Sequence, residues 1–183
     1  MILNTIFRLL LTFNATSLLL LIYLVKEGLT LAKLFPNWSF LSSWPNTTSY
    51  LAYLIIPILL TGLSVLLSRK LGCDSFVKGE VDSIEHANNS FLPSYLGYFF
   101  VALSIGNFET LIFVYGVLFV FTFLSQALYF NPLFLLFGFE FYTVKTKIGT
   151  SIFLISRYKY KKPDDIDIEK AYRINNYTFI ERG

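Results

Sequence analysis

Apolar residues gather into four long runs, and the polar residues between the runs are sorted by charge. The runs cover about Ile6 to Val25, Tyr50 to Ser68, Phe91 to Ile105 and Phe108 to Leu128. A helix rising 1.5 Å per residue needs roughly 20 apolar residues to cross a bilayer, and three of the four runs come close to that. The pattern therefore predicts an all-α transmembrane fold. Residues 1–139 form a four-helix polytopic bundle, with spans near 6–25, 50–68, 91–105 and 108–128, and residues 140–183 form a small β-rich cytoplasmic tail.

Punctuation sharpens these boundaries. Pro57 lies inside the second run and removes a backbone hydrogen bond, so a kink is expected there. Gly106-Asn107 leaves room only for a tight outer turn, making the third and fourth runs an antiparallel hairpin. Asn131-Pro132 breaks the helix at the inner face. Pro57 and Pro132 are the hinge candidates, and Asn107 and Glu109 at the outer turn are candidate sensor positions. The connection 71–89 reads as a short mixed-charge cytoplasmic loop whose FVKGEV stretch suits a small hairpin. In the tail, FEFYTVKTKIGTSIFLISRYKY alternates in period two around Lys147-Ile148-Gly149, the pattern of a two-stranded hairpin. After Pro163 a helical turn or two and a last strand are expected.

Charge fixes the orientation. Of 15 Lys and Arg, all but Lys26 and Lys33 fall on one side: Arg8, Arg69, Lys70, Lys78 and the nine beyond Thr143. Cytoplasmic connections carry the basic excess, so both termini are placed in the cytoplasm of a multi-pass inner-membrane protein. Composition agrees: 55% of residues are hydrophobic, against the 45–50% apolar usual in soluble domains. The net charge of +3 follows from topology and gives no separate case for nucleic acid. The single cysteine, Cys73, excludes an internal disulfide. Asn14, Thr16 and Ser17 interrupt the first run and Lys26-Glu27 follows it, which argues for a retained span over a cleaved signal.

No catalytic constellation, cofactor motif or metal-ligand set is visible. His86 is the sole histidine and reads as a solvated loop residue. Asn14, Thr16, Ser104 and Gln126, polar residues in the interior of the apolar runs, are not ionisable, which weighs against an ion-coupled transporter or a membrane enzyme. Two readings of them remain: hydrogen bonds between helices, within or between protomers, and the lining of a narrow pore in an oligomer. Arg157, Lys159, Lys161 and Lys162, interleaved with Tyr158 and Tyr160, form the densest basic patch. It suits anionic lipid or a protein partner. The adjoining Asp164, Asp165, Asp167 and Glu169 repel phosphate and favour the protein. A pore and a four-span protein of bacteriocin-immunity or holin type stand as alternatives to a subunit that docks a partner.

The stretch NPLFLLFGFEFYTVKTKIGTSIFLIS (131–156), preceded by the four apolar runs and the tight third-to-fourth turn, resembles the KwaA family, the membrane subunits of the Kiwa anti-phage defence system of bacteria. Gly138, Glu140, Tyr142, Thr146, Gly149 and Ser156 carry the likeness. The resemblance implies a homo-oligomer, a tetramer, in the inner membrane. It implies a subunit that senses phage attachment or injection and acts with a separate cytoplasmic DNA-binding effector, KwaB-like, without binding nucleic acid or performing catalysis itself. Glu140, Tyr142, Arg157, Lys159, Lys161, Lys162, Asp164 and Asp165 are then the candidate docking residues.

Overall fold

A computed structural model of the chain describes residues 2–90, 92–124 and 131–183. The longest helix, α1 (Ile2–Lys26, 25 residues), is the central one and packs against three others, α3 (Asn46–Leu67), α4 (Leu92–Ser104) and α5 (Phe108–Leu124). It ends in a Schellman turn: Gly28 adopts φ 58°, its N–H donates to Val25 O at 3.1 Å, and Leu29 N–H donates to Leu24 O at 3.0 Å. A single turn, α2 (Leu31–Leu34), and a 3-10 turn (Ser39–Ser43) then lead into α3, which continues helically through Pro57. Asn107 caps α5, its side-chain oxygen accepting the Thr110 N–H at 2.8 Å. The last helix, α6 (Leu133–Leu136), is one turn with Pro132 at its N-cap.

Two helical stretches, Asn4–Lys26 and Asn46–Lys70, are long and apolar enough to cross a membrane. Only 44% and 33% of their most apolar windows are buried within the chain, whereas the core helix of a soluble protein is mostly covered. The uncovered face of α3 carries Leu51, Ile55, Ile56, Leu59, Leu63 and Leu66. At 13 and 17 residues, α4 and α5 rise only about 20 and 25 Å, short of the ~30 Å hydrocarbon layer. The expected end of the fourth run, at Leu128, lies outside the described residues.

The expectation of an all-α four-helix bundle is overturned by a six-stranded sheet. Its order is β1 (Cys73–Phe76), β5 (Ile168–Arg173), β6 (Thr178–Glu181), β4 (Ser151–Ser156), β3 (Glu140–Thr146), β2 (Val81–His86). The hairpin expected around Lys147–Gly149 is β3–β4, with Gly149 at φ 86° in its turn. Two strands come from the connection 71–89. Neighbouring pairs are antiparallel except β4 and β6, which run parallel. The order forces curvature. A flat sheet of six strands separates its edges by about 24 Å, at ~4.8 Å per strand. The edge strands β1 and β2 are joined by only residues 77–80, which reach roughly 17 Å. The sheet therefore curls toward a small open barrel.

Alternation along the strands then gives two cores. Tyr142, Val144, Ile152, Leu154 and Phe179 point into the curl with Ile166, Ile168 and Ala171. Their neighbours Phe141, Phe153, Ile155 and Ile180 point outward, onto Phe7 and Leu11 of α1, Val65 of α3, and Phe134 and Phe139 around α6. At the opposite end of α1, Leu19 and Tyr23 pack with Ala102, Ile105 and Leu111. One helix thus joins the sheet-bearing end to the outer-turn end.

Candidate functional site

Polar residues of the C-terminal segment meet on the rim of the curled sheet. Glu140 opens β3, and Tyr142 follows two residues on. The Tyr142 hydroxyl donates to Glu140 Oε2 at 2.7 Å and accepts the Tyr160 N–H at 3.2 Å. Antiparallel register places His86 of β2 opposite Tyr142, with His86 Nε2 3.4 Å from Glu140 Oε2. Lys159 Nζ stands 3.6 Å from the other carboxylate oxygen. Burial pushes the Glu140 carboxyl up, but the Tyr142 hydroxyl, Lys159 and His86 outweigh it and hold the group below the ordinary carboxylate value. Burial and then the Glu140 carboxylate push the Tyr142 phenol up to about 12.

Behind this rim lies a buried hydroxyl–carboxylate knot. Glu181 Oε2 accepts from Ser156 Oγ and from the Tyr160 hydroxyl, both at 2.6 Å, and Ser156 Oγ accepts the Tyr158 N–H at 2.9 Å. Burial and then Glu181 raise the Tyr160 phenol. The knot fixes the 157–160 strand exit that carries the basic patch. Further along, Asp165 Oδ2 accepts the backbone N–H groups of Lys161 and Lys162 at 3.1 and 2.9 Å, which lowers its pKa. Pro163–Asp165 is a 3-10 turn, so Lys161, Lys162, Asp164 and Asp165 form one tight exposed corner. Arg157 leaves this group: its guanidinium lies over the Phe139 ring, 4.7 Å from the centroid, and faces a cleft of about 690 Å³ that Tyr158, Tyr160 and Asp165 also line.

Sequence reasoning named Glu140, Tyr142 and Lys159 as docking candidates, but it read His86 as a solvated loop residue and gave no site role to Ser156 or Glu181. His86 is a strand residue beside a carboxylate, and only the β2–β3 register reveals it. Ser156 and Glu181 meet because β4 and β6 pair in parallel, a contact that no local pattern signals.

The helical polar residues are bonded within the chain. Asn14 Nδ2 donates to Ser64 Oγ at 3.3 Å, and Thr16 Oγ1 lies 3.1 Å from the Tyr115 hydroxyl. Both residues are fully covered in the single chain. Ser104 is exposed on α4 and donates back to Phe100 O at 2.8 Å. Gln126 lies outside the described residues. Glu109 sits exposed in the first turn of α5, one residue beyond Phe108, where the helix dipole favours an acid. Pro57 is buried in α3. Thr61 Oγ1 donates to Pro57 O at 2.8 Å and accepts from Asn131 Nδ2 at 2.9 Å, so the two hinge candidates, Pro57 and Pro132, are linked through one polar chain.

At the far end, Phe35, Trp38, Phe40 and Trp44 form an exposed aromatic file with successive centroids 5.5 to 5.9 Å apart. Lys26 pairs with Glu27 at 3.2 Å and also donates to Ile105 O at the end of α4.

A family model described as anti-phage protein KwaA matches residues 7–180. No curated protein and no solved structure matches the chain.

Proposed function

The chain belongs to the KwaA family of anti-phage proteins, and from that premise we propose that it is the membrane-held subunit of a defence complex, with its curled sheet presented to a cytoplasmic DNA-binding effector of KwaB type. In this reading α1 and α3 cross the inner membrane of a bacterium. Both termini then lie with the sheet on the cytoplasmic side, where the basic excess also gathers. The chain performs no chemistry itself, and it assembles with copies of itself, as a tetramer, through its uncovered apolar helix faces.

The observation that carries the reading is the exposed rim where Glu140, His86 and Lys159 interlock beside the Lys161–Asp165 corner. Its alternating charges sit on a rigid strand framework, a surface that selects a complementary protein and disfavours a uniform polyanion. Stable docking needs on the order of 800 Å² per partner, which a six-stranded sheet can supply. The aromatic file and Glu109 stand at the opposite end, so an event at the envelope reaches the rim through α1, whose two ends enter separate cores.

Deleting 140–183 removes four of the six strands and the packing under α1, so point changes are the sharper test. Affinity purification of the full chain from its host in mild detergent is expected to recover a stoichiometric cytoplasmic DNA-binding protein. The charge reversals Lys159→Glu and Lys161→Glu are expected to lose it while the chain stays in the membrane fraction. Retention of the partner by both variants would sink the assignment of the rim.

A further inference from the structure

Three arginines far apart in sequence line the cleft where the sheet meets the helices. Arg69 ends the α3 stretch, Arg157 follows β4 and Arg182 follows β6. Ser156 of β4 is paired with Glu181 of the parallel strand β6, so Arg157 and Arg182 leave neighbouring strands side by side. Strands in a sheet lie about 4.8 Å apart, and like charges on neighbours repel. Among the described residues none of the three guanidiniums reaches a carboxylate, in contrast to Arg173, which pairs with Asp74. Arg182 Nη1 is buried without a hydrogen-bond partner. Burial, then Arg69, and further Arg157, hold the Arg182 pKa down, in keeping with the three residues lining one cleft.

We propose that this cleft binds one phosphate group through Arg69, Arg157 and Arg182, supplied in the membrane by the head group of an anionic phospholipid. Guanidinium groups present paired donors that match phosphate oxygens, and a buried unpaired N–H is a donor left waiting for an acceptor. The acids of the cleft limit what fits. Glu181 is occupied by Ser156 and Tyr160, and Asp165 by the Lys161 and Lys162 amides, whereas Asp167 and Glu169 also line the cleft as exposed acids. They repel an extended polyanion more than a single phosphate held by three guanidiniums. Arg69 directly follows the apolar stretch of α3, which puts the cleft at head-group depth. The lipid source rests on α3 spanning the membrane; the anion site does not, and neither depends on the effector.

Native mass spectrometry of the full chain, with phosphatidylglycerol or phosphatidylcholine added, tests the site without any partner protein. Wild-type chain is expected to retain phosphatidylglycerol over phosphatidylcholine. Arg69→Gln and Arg157→Gln, both at exposed positions, are expected to lower that retention about fivefold each. Lys147→Gln, at the far tip of the β3–β4 hairpin, is expected to leave it unchanged. Equal retention of the two lipids, or an equal loss in Lys147→Gln, overturns the proposal. A competition arm separates the sources: phosphatidylglycerol that resists millimolar inorganic phosphate identifies the head group, and displacement identifies free phosphate in the same site.

Discussion

The side-chain amide of Asn131 donates to Thr61 Oγ1 at 2.9 Å, joining residues 70 apart in sequence. Asn131 Oδ1 meanwhile accepts the Leu133 N–H at 3.0 Å and so starts α6. One side chain therefore fixes both the entry to the sheet and its seat on α3. In Asn131→Ala both partners lose a bond in a buried setting, where an unmet polar group costs about 1–3 kcal/mol. A corresponding drop in thermal stability in detergent is expected. Asn14→Leu makes the contrast. Its 3.3 Å bond to Ser64 is long, and Asn14 Oδ1 has no partner, so this change is expected to cost less than ~1 kcal/mol, in line with bonds between membrane helices. Equal losses in the two variants would refute the ranking.

Gly62 sets how closely α3 approaches α6. A Cβ there would stand 3.2 and 3.3 Å from two atoms of the Phe137 ring. Gly62→Val is expected to destabilise by about 1–3 kcal/mol through overpacking, and Phe137→Leu in the same chain is expected to recover part of that. A double-mutant cycle with no coupling would show that the ring moves aside freely.

Charge at the rim makes stability depend on pH at both ends. Glu140 titrates below its ordinary value of 4.5 in the folded chain. Its ionised form therefore stabilises the fold above about pH 4.5, and that contribution fades as pH falls through the folded value. Tyr142 has its pKa raised to about 12. The neutral phenol contributes fully below about pH 10 and its contribution is lost as pH climbs toward 12. Melting temperature against pH is expected to lose part of its acid slope in Glu140→Gln and part of its alkaline slope in Tyr142→Phe. Tyr160, also raised, keeps the alkaline slope from vanishing. Unchanged slopes in both variants would remove the rim from the pH response.

The helices were legible because run length and charge sign are local signals, and α1 and α3 carry both over more than twenty residues. The sheet was not. β1 is four residues long in a mixed-charge segment, and its partner β5 lies almost a hundred residues away. β4 reads as a near-continuous apolar strand because the helices bury one face and the curl buries the other, so period-two alternation understated it. The same distinction governs the site. Glu140 and Tyr142 are two residues apart on one strand, and their pairing follows from sequence. His86, Ser156 with Glu181, and the convergence of Arg69, Arg157 and Arg182 all require strand order.

The aromatic file offers a direct check on how deeply the outer end sits. The chain has two tryptophans, and both are in it. Trp38 is 56% exposed and Trp44 46% exposed, stacked or edged against Phe35 and Phe40. An indole combines an apolar ring with one N–H donor and settles at the head-group boundary. Tryptophan emission of the reconstituted chain, excited where tyrosine does not absorb, therefore reports this loop alone. Lipids brominated near the carbonyl end of the acyl chain are expected to quench it more strongly than lipids brominated near the methyl end, and the emission is expected to shift to the blue relative to the denatured chain. Pro36 and Pro45 bracket the loop, so substitution of Trp38 or Trp44 by Phe leaves its backbone limits intact and resolves the two signals. Quenching by aqueous iodide with no response to either brominated lipid would place the loop in water and overturn this placement.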